Sequence, residues 1–175
     1  MLKRKTLIFF IVCWTFIIGS GIMYFTYATE SEVITIENNQ KSVKNSEKEK
    51  VTVYVPNSKL TTLNKREAEI DLAQSTKDRA VKLTEKIIQI LREEKYIKSE
   101  DITLYNVYFN DKTIYLDFSS QIKELDDNTQ KSLMTIYSIV NSLTETGKFD
   151  RVKIMVNGED GTKNLGKFYK RNTGI

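Results

Sequence analysis

The chain has 175 residues, of which 40% are hydrophobic and 29% are charged, so it is long enough for one domain and a tail. This composition excludes a wholly disordered chain and a protein with several membrane spans. The sequence contains no histidine and one cysteine, Cys13. It therefore excludes histidine-based catalytic triads, an intrachain disulfide and a cysteine-rich zinc site.

The excess positive charge is concentrated at the N-terminus. Lys3, Arg4 and Lys5 precede the first acidic residue, Glu30, and they account for three of the 27 basic residues; the chain has 23 acidic residues. The rest of the chain is therefore nearly neutral. A nucleic-acid-binding domain normally carries its excess charge as a folded basic patch. We therefore expect no nucleic-acid partner.

An uncharged segment follows the basic residues, and its 19 residues at 7–25 are LIFFIVCWTFIIGSGIMYF. As a helix it would extend about 28 Å, close to the ~30 Å hydrocarbon core of a bilayer. The positive charges before it predict a cytoplasmic N-terminus at 1–6, a transmembrane signal anchor at 7–28 and export of the remainder to the outer side of the cell membrane. A cleaved signal peptide is the alternative, because Thr26-Tyr27-Ala28 resembles a cleavage site.

The exported part divides into a polar stretch and a domain. Residues 29–50 carry mixed charge and few apolar side chains, which indicates a tether. The predicted domain occupies residues 51–172. Its first strand has alternating valines at 51, 53 and 55 and ends at Pro56, and a weaker extended segment follows at 63–70.

Two amphipathic helices are predicted. The first begins at Ser75, with Asp78 three residues later, as in a capping box. Apolar residues then recur at helical spacing at Ala80, Leu83, Ile87, Ile88 and Leu91. The second begins with Asp127 as the N-cap and is followed by Gly147 as a C-terminal cap. Its predicted apolar face consists of Leu133, Ile136, Tyr137, Val140 and Leu143.

Between and after the helices, alternating residues predict further strands. A hairpin joins 105–109 to 114–118, a strand covers 152–156, and an edge strand is expected at 165–169. The predicted fold class is α+β, with two layers: a mixed sheet of about four to six strands and two amphipathic helices on one of its faces. One transmembrane helix precedes this domain.

Three stretches of this order resemble the GerMN domain of GerM-type sporulation and spore-germination proteins. They are VTVYVPNSKL at 51–60, YNVYFNDKTIYLDFSSQIKE at 105–124 and YSIVNSLTETGKFDRVKIMVNGE at 137–159. The sequence departs from that family at 92–95, where Arg-Glu-Glu-Lys replaces a Gly-Pro pair, and it shows no second copy of the domain. The resemblance implies a fold similar to the ring-building motifs of membrane-spanning machines. It also implies a non-catalytic envelope domain that docks with protein partners or the cell wall.

Four acidic residues are the candidates for catalytic groups: Asp117, Glu124, Asp126 and Asp127. Their positions in a strand and at a helix start favour hydrogen bonding and capping over acid–base catalysis. The turn at 157–161 offers oxygen atoms but lacks the spacing of a calcium-binding loop. We therefore predict no catalytic residue, no cofactor site and no metal site, and the protein is expected not to be an enzyme.

The candidate interaction surface combines tyrosines with a basic C-terminal segment. The candidate residues are Tyr108, Tyr115, Lys163, Lys167, Tyr169, Lys170 and Arg171. Tyr105 and Tyr137 are assigned to the core. The resulting hypothesis is a single-pass membrane protein that displays an interaction or scaffolding domain in an envelope assembly, with envelope proteins as partners. The alternative is an accessory module that binds cell-wall peptidoglycan.

Overall fold

The computed structural model describes residues 47–175. The predicted cytoplasmic segment, the membrane anchor and most of the tether lie outside these residues. In the described part of the chain, no helix is both long enough and apolar enough to cross a membrane. The first strand begins at Lys48, so the last three residues of the predicted tether are part of it.

The first two strands form a sheet of their own. β1 (Lys48–Pro56) pairs antiparallel with β2 (Leu63–Asp71), and this hairpin is a separate two-stranded sheet. The weak strand at 63–70 is therefore confirmed. The expectation of a single sheet is wrong, because β1 pairs only with β2 and its other edge is occupied by a helix.

Two helices follow the predicted pattern, with one change of cap. α1 (Thr76–Glu93) begins after Ser75, whose hydroxyl accepts a hydrogen bond from the Asp78 N–H at 3.1 Å. α2 (Gln130–Thr144) is capped by Thr129 rather than Asp127, because the Thr129 hydroxyl accepts from the Ser132 N–H. Gly147 follows α2 with a positive φ of 70°, and its N–H donates to the Thr144 carbonyl.

The main sheet is mixed and has five strands. They are β3 (Leu104–Asn110), β4 (Thr113–Phe118), β5 (Arg151–Val156), β6 (Glu159–Asp160) and β7 (Phe168–Lys170). The order is β3-β4-β5-β6, and β7 also pairs with β5; β4 and β5 are parallel and the other pairs are antiparallel. A 3₁₀ helix, Ser120–Leu125, and α2 connect β4 to β5.

Both helices pack against one face of this sheet. The core side chains of the sheet follow the predicted alternation, and they include Val107, Ile114, Leu116, Phe118, Val152, Ile154 and Val156, each at most 5% exposed. The same cluster contains Leu83, Ile87 and Leu91 of α1 and Ile136, Ile139 and Leu143 of α2. The predicted composition of mixed sheet and two helices is therefore confirmed.

α2 is buried on more sides than an amphipathic helix. Eleven of its 15 residues are buried, including Ser138, Ser142 and Thr135. The hairpin covers the side that faces away from the main sheet. There, the Ser142 hydroxyl accepts a hydrogen bond from the Tyr54 N–H at 2.9 Å, and the Ser138 hydroxyl donates to the Tyr54 carbonyl. Two serines one turn apart thus provide hydrogen-bond partners for both the N–H and the carbonyl of Tyr54, at the edge of β1 that does not pair with β2.

Candidate interaction surface

The second face of the main sheet is covered by no helix of the described residues. Its side chains alternate with those of the core, and the register aligns Tyr108, Tyr115, Lys153 and Phe168 across four neighbouring strands. We call this surface the open face and define it by Tyr108, Tyr115, Arg151, Lys153, Met155, Phe168 and Lys170. Tyr108 is 46% exposed and Phe168 is 50% exposed.

Two aromatic side chains of the open face, Phe168 and Tyr115, are ordered around a buried lysine. The Lys153 ammonium lies 4.7 Å from the centre of the Phe168 ring and forms an ion pair with Asp160 at 2.7 Å. Phe168 also meets Tyr115 edge to face, with ring centres 6.1 Å apart. The Lys153 side chain is only 8% exposed, so its charge is screened little and orders this centre.

A shallow groove lies at one end of the open face. Its volume is about 380 Å³, and Tyr108, Tyr115, Met155 and Asp160 contribute to its walls. The wall is mainly apolar, with one carboxylate at the rim. A groove of this kind can accept an apolar side chain of a partner molecule.

The structure divides the predicted surface residues among three places: the open face, the loop before β7, and inward positions toward the core and α2. Tyr108, Tyr115 and Lys170 lie on the open face, and Lys163 and Lys167 are exposed in the loop before β7. This loop connects β6 to β7. The tyrosines and Lys170 therefore share one surface, whereas the two loop lysines lie beside it.

Tyr169 and Arg171 are corrections to the predicted surface. Tyr169 is only 5% exposed, because its register partner is the core residue Val152 and alternation turns it inward. Burial raises the pKa of Tyr169 to about 12. Arg171 is half-buried and turns toward α2, where it forms an ion pair with Glu145. Consecutive residues of a strand cannot all point to the same face.

The assignment of two tyrosines to the core is half right. Tyr137 packs against the core and meets Tyr169 edge to face, with ring centres 5.4 Å apart. Tyr105 is 58% exposed, because an irregularity in register between Leu104 and Asn106 interrupts the alternation of β3. Arg151, Lys153 and Met155 also lie on the open face, although they were not among the predicted surface residues. Their alternation with Val152, Ile154 and Val156 could have identified them.

Each of the four candidate carboxylates accepts hydrogen bonds from backbone or side-chain donors. Asp117 is buried and accepts from the Gly158 N–H at 2.7 Å. Glu124 accepts from the N–H groups of residues 98 and 99. Asp126 accepts hydrogen bonds from the N–H groups of residues 164 and 165 and from the Thr162 hydroxyl. Hydrogen bonds from Ser132 and Thr129 hold the pKa of Asp127 below its ordinary value.

The loop before β7 owes its shape to Asp126 and to two glycines. A Cβ atom added to Gly161 would lie 2.5 Å from that of Leu165, and one added to Gly166 would lie 2.5 Å from the Gly161 carbonyl oxygen. Only glycine permits this approach. The acidic residue and the two glycines therefore place β7, and with it Phe168 and Lys170, beside β5.

A second polar cluster lies away from the open face, around Glu145. Its carboxylate accepts hydrogen bonds from the Tyr54 hydroxyl at 2.6 Å and from Lys65 at 3.1 Å, and it pairs with Arg171. Burial opposes ionisation of Glu145, but these three donors outweigh it and hold the pKa of that carboxyl below its ordinary value. Burial, followed by the hydrogen bond to Glu145, raises the pKa of Tyr54. This cluster joins β1, β2, α2 and the C-terminal segment.

No metal-binding group was found within residues 47–175: they contain no cluster of three or more acidic or cysteine side chains that could hold an ion. The carboxylates described above are engaged in structural hydrogen bonds. The feature of the described residues that most resembles a functional site is therefore the open face, an aromatic and basic surface suited to binding.

Comparison of the chain with known protein families and structures places it in one family. Residues 24–162 match the family described as "Germane: Sporulation and spore germination", so the chain belongs to it. The domain is of the GerMN type, which confirms the resemblance found in the sequence. No curated protein matches the chain.

Solved structures similar to it include the following three. The tandem GerMN domains of the sporulation protein GerM from Bacillus subtilis match at 15% identity and a TM-score of 0.47, over 78% of this chain and 48% of that one. A putative lipoprotein from Clostridium perfringens matches at 14% identity and 0.40, over 76% and 93%. The first GerMN domain of GerM matches at 17% and 0.41, over 67% and 90%. The chain spans about half the length of the tandem structure.

Proposed function

We propose that this protein is a single-pass membrane protein that displays its GerMN-type domain outside the cytoplasm as an interaction module. The family description connects it with sporulation and spore germination. The basic N-terminus and the apolar run at 7–25 support anchoring and export. In this proposal the domain acts by docking to a protein component of an envelope assembly and has no catalytic role.

The observation that carries the proposal is the composition of the open face. Tyrosine, phenylalanine, methionine and arginine are the residues in which protein interfaces are enriched, and all four occur there. Tyr108 lines the apolar groove, and Phe168 packs against Tyr115 of the same groove; both rings are about half exposed. Binding by an aromatic centre within a polar rim is typical of protein–protein interfaces.

The test compares association in cells for three forms of the full-length protein. Tyr108→Ala with Tyr115→Ala removes the two tyrosine rings that line the groove, and Leu72→Ala is the control, because Leu72 is 50% exposed at the end of the hairpin. Each form is cross-linked in intact cells and recovered from the solubilised envelope. We expect the cross-linked protein complex to disappear in the double variant alone.

A parallel incubation with purified sacculi separates the peptidoglycan-binding alternative. Binding of the wild type to sacculi that disappears in the double variant, with no cross-linked protein partner, would replace the proposal by the cell-wall reading. A reporter joined after Ile175 tests export, and it should be active only outside the cytoplasm. Activity of that reporter in the cytoplasm would contradict the proposed orientation.

A further inference from the structure

Two positive charges lie directly opposite each other on the open face. Arg151 of β5 and Lys170 of β7 are register partners in an antiparallel pair, and both are exposed. Like charges at directly opposed positions of neighbouring strands repel each other and weaken the sheet. The neighbouring register pairs, Val152 with Tyr169 and Lys153 with Phe168, show no such conflict.

The acidic groups around this pair are already engaged. Asp150, which precedes Arg151 in the chain, forms an ion pair with Lys112 at 3.5 Å, and Asp160 pairs with Lys153. Among the residues that the structure describes, no carboxylate lies within ion-pair distance of Arg151 or Lys170. The next basic residue, Arg171, differs because it is paired with Glu145.

The pair adjoins the apolar centre of the open face. The Arg151 guanidinium lies 5.6 Å from the centre of the Phe168 ring, which limits the orientations that the guanidinium can adopt. A guanidinium held in this way is suited to a bidentate hydrogen bond with a carboxylate. Farther along the same face, Tyr115 and Met155 line the apolar groove.

We propose that the open face binds a protein partner that presents carboxylate side chains beside an apolar side chain. The carboxylates bind Arg151 and Lys170, and the apolar side chain enters the groove beside Tyr115. This inference rests on the proposed function and adds the chemistry of the partner. A polysaccharide offers anionic groups but no hydrophobic side chain for the groove, so an acidic protein surface fits both features.

The binding experiment uses the full-length protein in micelles of an uncharged detergent. The probes are a fluorescent random copolymer of glutamate and tyrosine, polyglutamate, and hyaluronate as a carboxylate-bearing polysaccharide. The test variant is Arg151→Glu with Lys170→Glu. The matched control is Lys59→Glu with Lys98→Glu, which changes the charge equally at two exposed lysines outside the open face. Melting curves verify that both variants fold.

We expect the Glu–Tyr copolymer to bind more tightly than either other probe. The Arg151/Lys170 variant should weaken that binding by about tenfold or more, and the control should change it by less than about twofold. Binding of wild type should also weaken as salt is raised. Equal binding of hyaluronate and the copolymer would overturn the inference in favour of an anionic glycan. An equal loss of copolymer binding in the control variant would also overturn the inference, because it would show that the copolymer binds by non-specific charge attraction.

The cross-linking assay in cells separates this inference from the proposed function. If the Tyr108/Tyr115 variant loses its partner but the Arg151/Lys170 variant keeps it, the open face is the docking surface and the acidic partner is wrong. If both variants keep the partner, the proposed function fails as well. Loss of the partner in both variants, with retention of the partner in the Lys59/Lys98 control, supports both the inference and the proposed function.

Discussion

Ser138 and Ser142 show how two small residues attach a strand to a helix. Both lie within α2, and both hydroxyls meet the backbone of Tyr54 at the edge of β1 that β2 does not cover. Ser142 also donates to the Ser138 carbonyl at 2.7 Å, so its hydroxyl serves as both acceptor and donor. Removal of these hydroxyls leaves a buried N–H and a buried carbonyl without partners.

The first prediction concerns this pair. Ser138→Ala with Ser142→Ala should lower the free energy of unfolding by about 2–4 kcal/mol, since each buried polar group left without a partner costs about 1–3 kcal/mol. Thr84→Val is the control, because the Thr84 hydroxyl is also buried but donates only to the Ala80 carbonyl of its own helix. Urea denaturation of all three forms provides the measurement. A loss below about 1 kcal/mol in the serine variant would show that water replaces the hydroxyls.

The second prediction follows from the lowered pKa of Glu145. A carboxyl whose pKa is lower in the folded than in the unfolded state stabilises the fold above its ordinary value of 4.5. This stabilisation is lost as the pH falls from 4.5 through the lower folded pKa. Glu145→Gln should therefore cost about 1–2 kcal/mol at pH 7, and its difference from wild type should shrink below pH 4.5.

Denaturation at a series of pH values measures this difference. Glu67→Gln is the control, because its side chain is 81% exposed in a long ion pair with Lys50 and should contribute less than about 0.5 kcal/mol at any pH. A Glu145→Gln effect that stays constant from pH 7 to pH 3 would mean that hydrogen bonding, not ionisation, determines the contribution.

At the level of secondary-structure elements, α2 differs from α1 in how much of its surface is buried. α1 keeps a polar side with exposed residues such as Glu85 and Gln89, whereas α2 lies between the hairpin and the main sheet. Serine and threonine make this possible because their short side chains bond to carbonyls of the same helix, as Thr135 and Thr144 do. A helix covered on two sides does not follow a single apolar stripe.

The third prediction tests the faces of α2. Ile136 is 0% exposed and Leu133, although predicted for the core, is only partly buried. Ile136→Ala should cost about 2–5 kcal/mol, the usual range for a large buried aliphatic side chain. Leu133→Ala should cost clearly less, and Ile154→Ala should resemble Ile136→Ala. Thermal and urea unfolding give the comparison, and equal losses at 133 and 136 would contradict the observed burial.

The spacing of apolar residues predicted those parts of the fold in which a given pattern is compatible with only one structure. The alternation around Ile114, Leu116 and Ile154 identified the core face of the main sheet. It could not show that β1 pairs only with β2, because strand alternation is the same in either sheet. Only part of the open face was predicted, for a similar reason. Arg151 and Lys170 lie opposite each other because of the register between β5 and β7, and the loop before β7 sets that register.

For the molecule as a whole, the hydrogen bonds between Tyr54 and α2 imply an order of folding. They join residues 84 and 88 positions apart, whereas the hairpin brings together residues at most 23 apart, as in the pair of Lys48 and Asp71. Closing a long loop costs more entropy than closing a short one, so local pairs tend to form first. The hairpin therefore forms early and docks only after α2 exists.

Two neighbouring amides of β1 can separate these events. The Tyr54 N–H bonds to Ser142 and reports docking, whereas Val55 pairs with Asn64 of β2 and reports the hairpin itself. In pulsed hydrogen exchange during refolding of residues 47–175, the Val55 amide should gain protection before the Tyr54 amide. Simultaneous protection would mean that the hairpin has no stability of its own. Until α2 is complete, β1 of a newly made chain has one open edge that another chain could pair with.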